Sequence, residues 1–461
     1  MSNIEEIGAS CKHDLDIRSG RLSAEEYAEN FSDMYAPLNR KQALIESNRC
    51  YFCFDAPCLE ACPTGIDIPS FIQKISTDNV KGAAEDILTE NIMGGSCARV
   101  CPVEDLCEEA CVRNTENKKP VKISQLQRYA TDGLFARDDA QIFERAPETG
   151  KTVAVVGGGP AGLSCAHKLA TFGHNVTVLE ARPKSGGLNE YGIAAYKETD
   201  DFAQKEVDYI LSIGGIEMKN NQALGKDITL DDLRKDYDAV FLGIGHSGVN
   251  ALGLENEDLE GVGNAVDYIA ELRQADDFAD VEVGRRVVVV GGGNTAVDIA
   301  VQTKLLGAED VTLVYRRGVE QMGATDHEQE YAQINGVKIK YWAKPSRLVG
   351  ANGNVQEIEF EYTELNDEGR LVGKDEYFTL QADMVFKAIG QKFEDVHLET
   401  TLDKPKLTEW GRLDVDENCQ TSLPDVWAGG DCIEGEDLTV QAVEDGKIAA
   451  VAIDKMLKGD K

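Results

Sequence analysis

Two stretches of the chain, 134 residues apart, repeat one local plan. Val153-Ala-Val-Val-Gly157-Gly-Gly159-Pro-Ala-Gly162 closes with Val176-Thr-Val-Leu-Glu180. Val287-Val-Val-Val-Gly291-Gly-Gly293-Asn-Thr-Ala296 closes with Val311-Thr-Leu-Val-Tyr-Arg316. Each reads as a β-branched strand, a glycine turn, a helix and a second strand, the setting that a lone glycine motif lacks. The first glycine allows the tight turn, and the second lets backbone approach a pyrophosphate. The third (or Ala296) permits close packing of helix on strand, while the helix N-terminus faces the phosphate. A single such loop can be a mere structural turn. Two in this context predict two Rossmann-like α/β nucleotide-binding units.

The copies differ at the end of the second strand. Glu180 ends the first and is placed to accept hydrogen bonds from ribose hydroxyls. Arg316 and Arg317 end the second, where two guanidiniums suit the 2′-phosphate of NADPH; the alternative is that they cover an adenine face or sit in solvent. Near the C-terminus, Val426-Trp-Ala-Gly-Gly430-Asp431 precedes Thr439-Val-Gln-Ala-Val-Glu-Asp-Gly446. A strand ending in Gly-Asp sets a carboxylate beside a ribitol hydroxyl. A helix opening at Thr439 aims its positive end at the electron-rich O2 edge of a flavin ring. Gly430, Asp431 and Thr439 with the first glycine loop therefore predict an FAD site.

Eight of the twelve cysteines fall between Cys50 and Cys111; Cys11, Cys165, Cys419 and Cys432 lie outside. They run Cys50-x2-Cys53-x4-Cys58-x3-Cys62-Pro63, then Cys97-x3-Cys101-Pro102-x4-Cys107-x3-Cys111. Soft thiolates this close together, with two Cys-Pro steps, point to two iron–sulfur clusters. Structural zinc favours paired Cys-x2-Cys knuckles, of which only Cys50 and Cys53 form one; zinc and free structural thiols remain the alternatives. Around these cysteines the pattern is helical. Ser23-Ala-Glu-Glu26 is a capping box opening a helix to about Tyr35, and Ile68 to Leu88 has helical apolar spacing with a break near Asp78-Asn79. The reading is an α+β multidomain chain: residues 1–145 an α-helical iron–sulfur domain, 146–280 the first part of an FAD domain, 281–390 an inserted NAD(P)H domain, and 391–461 the second part of the FAD domain. Arg137 to Lys151 forms a charged link.

A chain of 461 residues suits about three domains. Its formal charge of −35 argues against nucleic acid and against an anionic membrane surface. No stretch is apolar enough to span a membrane, and the acidic opening MSNIEEIGASCKHDLD is unlike a secretory signal. The expected compartment is the reducing cytoplasm, where cysteines serve as ligands or core thiols. Two dinucleotide sites beside two clusters imply an electron path: nicotinamide gives hydride, FAD takes both electrons, and clusters carry them away singly. No catalytic acid or base is expected, and His167, His174, His246 and His327 are scattered. A thiol-based flavoenzyme needs a cysteine pair at the flavin, whereas Cys165, Cys419 and Cys432 are isolated in sequence.

The order of cysteine-rich helical domain, FAD unit, inserted nicotinamide unit and return resembles two known families. They are the small subunit of bacterial glutamate synthase and the N-terminal half of dihydropyrimidine dehydrogenase. The segments Arg49-Cys-Tyr-Phe-Cys-Phe-Asp-Ala-Pro-Cys-Leu-Glu-Ala-Cys-Pro-Thr64, Asp105-Leu-Cys-Glu-Glu-Ala-Cys111 and Pro120-Val-Lys-Ile-Ser-Gln-Leu-Gln127 look like the dehydrogenase's cluster loops. The resemblance implies one cluster on Cys50, Cys53, Cys58 and Cys111. It implies another on Cys62, Cys101, Cys107 and Gln127, with Cys97 spare. The glutamate synthase branch carries a carboxylate at the Gln127 position, so the glutamine favours the dehydrogenase branch. Implied FAD contacts are Gly157, Gly159, Gly162, Glu180, Leu188, Lys197, Gly430, Asp431 and Thr439. Implied nicotinamide contacts are Gly293, Asn294, Thr295, Arg316, Arg317, Ala388 and Gly390. Lys197 replaces an arginine of the animal enzyme, and Gly323 replaces an arginine that would bind the 2′-phosphate. With Glu320 and Asp326 close by in sequence, that departure points to NADH rather than NADPH. The resemblance places the animal enzyme's C-terminal FMN barrel past Lys461, so FMN is expected on a second polypeptide. The resemblance thus implies a heteromer whose FMN- and ferredoxin-type catalytic subunit reduces uracil or thymine.

Overall fold

The computed structural model describes residues 16–459; Cys11 and the acidic opening segment lie outside the described residues. Two compact units result. The larger comprises Met34–Glu190, Lys197–Gly248 and Lys392 onward. The smaller comprises the described residues up to Asp33, Tyr191–Tyr196 and Val249–Gln391.

In the larger unit a five-stranded parallel sheet runs in the order Val426–Ala428, Ala239–Leu242, Thr152–Val156, Asn175–Glu180, Ile216–Asn220. Its central strand Thr152–Val156 is almost wholly buried, which is why it is written in valines with no polar alternation. The helices Pro160–Thr171 and Thr439–Lys458 pack on each other against this sheet.

The cysteine-bearing helices belong to the same unit. Ile68–Ser76 is capped by Asp67, whose side chain accepts from the Ser70 N–H, and Val80–Glu90 by Asn79, which accepts from Gly82. Between them Asp78 turns at φ 65°, the expected break. Phe71, Ile72, Ile75, Ile87, Leu88, Leu126 and Leu134 bury there in one continuous core with Leu163, Ile210 and Val443 of the nucleotide-binding part. Each such side chain contributes about 1.5–3 kcal/mol.

The smaller unit holds the second parallel sheet, ordered Lys338–Lys340, Asp310–Val314, Arg286–Gly291, Met384–Ala388, Val262–Asn264. A three-stranded antiparallel sheet, Ala343–Ala351, Asn354–Leu365 and Leu371–Gln381, is inserted into it. This unit departs from the expected boundaries for two physical reasons. Strand Val262–Asn264 pairs with Met384–Ala388, which draws residues from Val249 onward into the second sheet's unit rather than from 281. Residues before Met34 leave the cluster helices: Ile17–Arg18 pairs with Val283–Gly284, and Phe31 stacks on Phe278 at 4.1 Å. The Ser23–Glu26 capping box forms as expected, but its helix stops at Asn30, whose Nδ2 donates to the Leu305 carbonyl.

Candidate nucleotide and iron–sulfur sites

At the first glycine loop, Gly157 has φ 104°, and a Cβ on it would sit 2.1 Å from the Gly243 carbonyl oxygen. A Cβ on Gly162 would lie 1.9 Å from the Gly157 oxygen. Both positions therefore admit only glycine. Gly159 caps the helix Pro160–Thr171, with proline at the first helical position, so free N–H groups and the positive helix end face the loop. Glu180 is buried at its strand's end. Its Oε2 accepts from the Gly158 N–H at 2.7 Å and its Oε1 from the Arg182 N–H at 2.7 Å. The carboxylate thus braces the loop whose nucleotide it is expected to read. Across the sheet, Gly430 turns at φ 74° and donates its N–H to Asp445 at 2.9 Å. Burial and neighbouring Asp437 raise the Asp431 carboxyl above its ordinary range. Thr439 opens the 20-residue helix and donates its hydroxyl to Asn189 Oδ1 at 3.0 Å. Leu188 opens the short helix Leu188–Tyr191, and Lys197 is buried. All nine residues expected to hold FAD lie in the larger unit, and their glycine cradle, carboxylates and helix ends fit a dinucleotide.

The second loop repeats this with one change. A Cβ on Gly291 would meet the Ala388 oxygen at 2.2 Å, and one on Gly292 the Tyr315 ring at 2.3 Å, whereas Gly293 faces open space. Gly293 is therefore the point where a phosphate can approach backbone. Asn294 and Thr295 follow in the first turn of the helix Asn294–Leu305, and Asn294 Oδ1 is a buried oxygen with no hydrogen-bond partner. Ala388 pairs with Gly291. Gly390 turns at φ 92° and its carbonyl accepts from the Asn250 N–H at 3.2 Å. The strand ends at Val314; beyond it Thr363 donates to the Arg316 carbonyl at 2.8 Å and the Trp342 N–H to that of Arg317 at 3.1 Å. The Arg316 side chain is exposed and that of Arg317 half-buried. Neither has a carboxylate partner among the described residues, in a chain with 82 acidic side chains. An orphaned oxygen and two unclaimed guanidiniums at one loop fit a nucleotide. Gly323 lies beside it, its Cβ position 3.7 Å from the Gly292 oxygen and 4.0 Å from the Gly293 Cα.

Cys50, Cys53, Cys58 and Cys111 line one cavity with Ile68, Pro69, Ile72, Val121 and Ile123. All are free and half-buried. Among the described residues no three His, Cys, Asp or Glu side chains converge on a point as about a single ion; these four thiols instead ring a space. The Phe52 N–H donates to Cys50 Sγ at 3.4 Å, the kind of bond that tunes a cluster sulfur. Burial pushes the Cys58 thiol to about 12, with Cys111 and Cys50 adding to it, so metal binding there must displace protons. A second group surrounds Cys101. Its thiol is raised by a hydrogen bond with Cys97, by burial, and by Cys107 and Cys62. Cys97, expected as a spare, is thus Cys101's immediate neighbour. Gln127 is buried on the helix Ile123–Phe135, and its Nε2 donates to the Gly94 carbonyl at 2.7 Å, which leaves Oε1 as its acceptor atom.

Of the three cysteines isolated in sequence, Cys419 lies close enough to Cys165 and to Cys432 to be linked with each electrostatically. All are buried free thiols, and burial raises Cys419 and Cys432 to about 12, unsuited to thiolate chemistry. His167 is buried against Phe143 and lowered to about 3 by desolvation, so it stays neutral. Sequence reasoning missed Asp445, Asn189 and Lys447, the last donating to the Thr64 carbonyl just past Cys62 at 3.1 Å. The partners of Asn189 and Lys447 lie 250 and 383 residues away in sequence, and Asp445, inside the Thr439–Gly446 segment, was not singled out although it binds Gly430 only 15 residues before it.

Residues 118–446 match the pyridine nucleotide-disulphide oxidoreductase family. Residues 27–139 match dihydropyrimidine dehydrogenase domain II, 4Fe-4S cluster. The glutamate synthase [NADPH] small chain of Escherichia coli K12 is 35% identical over 444 residues, covering 92% of this chain and 93% of that protein. The NAD-dependent dihydropyrimidine dehydrogenase subunit PreT of Salmonella typhimurium is 34% identical over 438 residues, covering 95% and 99%. Among solved structures, FprA of Mycobacterium tuberculosis superposes with a TM-score of 0.57 at 20% identity, over 68% of this chain and 85% of that one. Thioredoxin reductase of Lactococcus lactis gives 0.51 at 20%, over 67% and 99%; both share the fold of the nucleotide-binding part. No helix among the described residues is long and apolar enough to cross a membrane. The glycine loops, the thiol groups and these relatives agree: the chain is an NAD(P)H-dependent oxidoreductase with FAD and 4Fe-4S chemistry, and it belongs to the pyridine nucleotide-disulphide oxidoreductase family, in the group shared by the glutamate synthase small chain and the dihydropyrimidine dehydrogenase subunit PreT.

Proposed function

We propose that this chain is the electron-input subunit of a dihydropyrimidine dehydrogenase. In this reading it oxidises NAD(P)H and passes electrons through two 4Fe-4S clusters to an FMN-containing partner that reduces uracil or thymine. The observation that carries the reading is the cavity ringed by Cys50, Cys53, Cys58 and Cys111, brought together across 61 residues in the core that also packs the flavin-side helices. Cys62, Cys101, Cys107 and Gln127 are proposed to hold the second cluster. When bound, the flavin and clusters supply the conversion of hydride into single electrons. The chain's own residues do the rest. Gly157, Gly159 and the helix after them receive the FAD pyrophosphate, with Glu180, Asp431 and Thr439 orienting the remainder. Gly293, Asn294, Thr295, Arg316 and Arg317 receive the nicotinamide nucleotide. NADH is the favoured donor, because Gly323 supplies no third cation beside Arg316 and Arg317. Cytoplasmic residence suits eleven free thiols among the described residues.

The second reading, a glutamate synthase small chain, is favoured by the 35% identity to that protein. Anaerobic assay with each partner type separates the two. Uracil-dependent NADH oxidation with an FMN-barrel partner is expected. NADPH oxidation that instead needs glutamine and 2-oxoglutarate with an amidotransferase partner would replace the first reading by the second.

A further inference from the structure

Three side chains unused by the cofactor sites meet inside the larger unit. Glu206, on the helix Phe202–Leu211, is 0% exposed, Glu198 is 2% exposed, and Ser96, on the helix Gly94–Val100, is 0% exposed. The Ser96 Oγ lies 2.6 Å from Glu198 Oε1 and 2.5 Å from Glu206 Oε2. Glu206 Oε1 also accepts the N–H groups of Gly95 at 2.9 Å and Ser96 at 3.2 Å.

Counting hydrogens fixes the charge of this group. Two oxygen–oxygen contacts this short need two bridging hydrogens, and a serine hydroxyl supplies one. The other must sit on a carboxyl, so the two acids share a proton, as like charges packed this closely in the interior must. The cation that acts on Glu206 does not remove the need. Arg99 is within electrostatic reach, but it is committed to Asp132 at 2.7 Å and to the Gly95 carbonyl at 2.9 Å, and its guanidinium stacks 3.5 Å over the Phe202 ring. Burial raises Glu206 to about 7, with Glu198 adding to the rise and the Ser96 and Arg99 interactions opposing it.

The place of the group gives the proton a use. The helix carrying Ser96 continues directly into Cys101, and its Gly94 carbonyl holds Gln127. Glu198 follows Lys197, the residue expected at the flavin. The group is thus joined through one helix to an expected cluster ligand and through one peptide bond to an expected flavin contact, and none of its three residues is itself assigned to either site.

We propose that Glu198, Ser96 and Glu206 form a proton store that loads when the chain takes up electrons and empties when it passes them on. The idea rests on the electron-input reading above. The balance closes without any further reagent: NAD(P)H gives NAD(P)+, two electrons and one proton. The electrons leave singly through the clusters, and the proton enters the carboxyl pair, where it offsets the charge that reduction adds beside it. The arrangement with two bridging hydrogens is the loaded state. Emptying removes one bridge and leaves two anions facing one hydroxyl.

The test is redox-difference infrared spectroscopy on the holoenzyme, after iron and flavin contents are confirmed, with dithionite as reductant so that nicotinamide binding plays no part. A deuterium-sensitive stretch of a neutral carboxyl group is expected to grow on reduction. It should vanish in both Glu206→Gln and Glu198→Gln, which keep size and most hydrogen bonds. In the same samples the midpoint of one cluster should fall as pH rises above about 7, approaching a tenfold change in equilibrium per pH unit, 59 mV for one electron, and flatten in both variants. A loaded wild-type protein with no such band, or variants that keep both band and slope, would overturn the store and leave the electron-input reading standing. Protein that holds no iron would overturn both.

Discussion

At the scale of single residues, the nicotinamide loop turns on which side chains are left unclaimed. Most arginines of this chain serve carboxylates, as Arg40 serves Asp78 and Arg234 serves Asp425, yet Arg316 and Arg317 have none among the described residues. A charge-assisted hydrogen bond to phosphate contributes about 1.5–3 kcal/mol. Arg316→Ala is therefore expected to lower kcat/KM for NADPH by roughly 10- to 100-fold, and that for NADH much less. Gly323→Arg, at a site where a Cβ meets no atom closer than 3.7 Å, should move preference toward NADPH. Steady-state kinetics with both nucleotides check the pair; equal losses on both in Arg316→Ala would mean that this arginine does not read the 2′-phosphate. These candidate residues could be picked out of the sequence because a glycine loop and the end of its second strand are separated by a nearly fixed length of chain. The Glu198–Ser96 and Glu206–Ser96 contacts were not, since they join residues 102 and 110 positions apart, and no local pattern predicts which buried acids meet.

Among the elements, the helix Thr439–Lys458 does two things at once. Its N-terminus carries Thr439, an expected flavin contact, while Lys447, two turns on, donates to the Thr64 carbonyl, the Glu90 carbonyl and Glu90 Oε2 at 3.1 to 3.2 Å. Thr64 Oγ1 in turn lies 3.3 Å from Cys62 Sγ. The helix thus fixes the Cys62 loop through a half-buried cation. Lys447→Met should leave two carbonyls without this donor, costing about 1–3 kcal/mol. With less positive charge beside Cys62, one cluster's midpoint should move to more negative potential while the other's holds. Potentiometric titration read by electron paramagnetic resonance checks this, and two unmoved midpoints would separate Lys447 from the electron path. The helix itself was legible from its Gly-Asp-to-Thr439 spacing. Its second role was not, because the partner carbonyls are backbone atoms of a distant loop and carry no sequence signature.

For the whole molecule, the domain boundaries expected from motifs and the units seen in contacts diverge for one reason. Motifs mark where a function starts, whereas cores mark what unfolds together. The cysteine-bearing helices and the flavin-side helices share the core that runs from Phe71 and Ile87 to Leu163, Ile210 and Val443. The second sheet packs separately around Val288, Val290, Ile358 and Phe360. Ligation of a cluster by these cysteines would hold their loops against the first of these cores, and metal-binding free energy at such sites is folding free energy. Cys58→Ser, which removes a thiol from the first cavity, should therefore lower the unfolding temperature of the entire larger unit, its Rossmann sheet included. It should not lower that of the smaller unit. For a unit of this size each kcal/mol lost corresponds to about 2–4 °C. Calorimetry with parallel detection of flavin release reads this directly: flavin should leave in the same, lowered transition that loses the cluster. Flavin release at the unaltered temperature would mean that the cysteine helices fold as an independent domain, as the sequence boundaries at 145 and 146 imply, and that the shared core does not couple them.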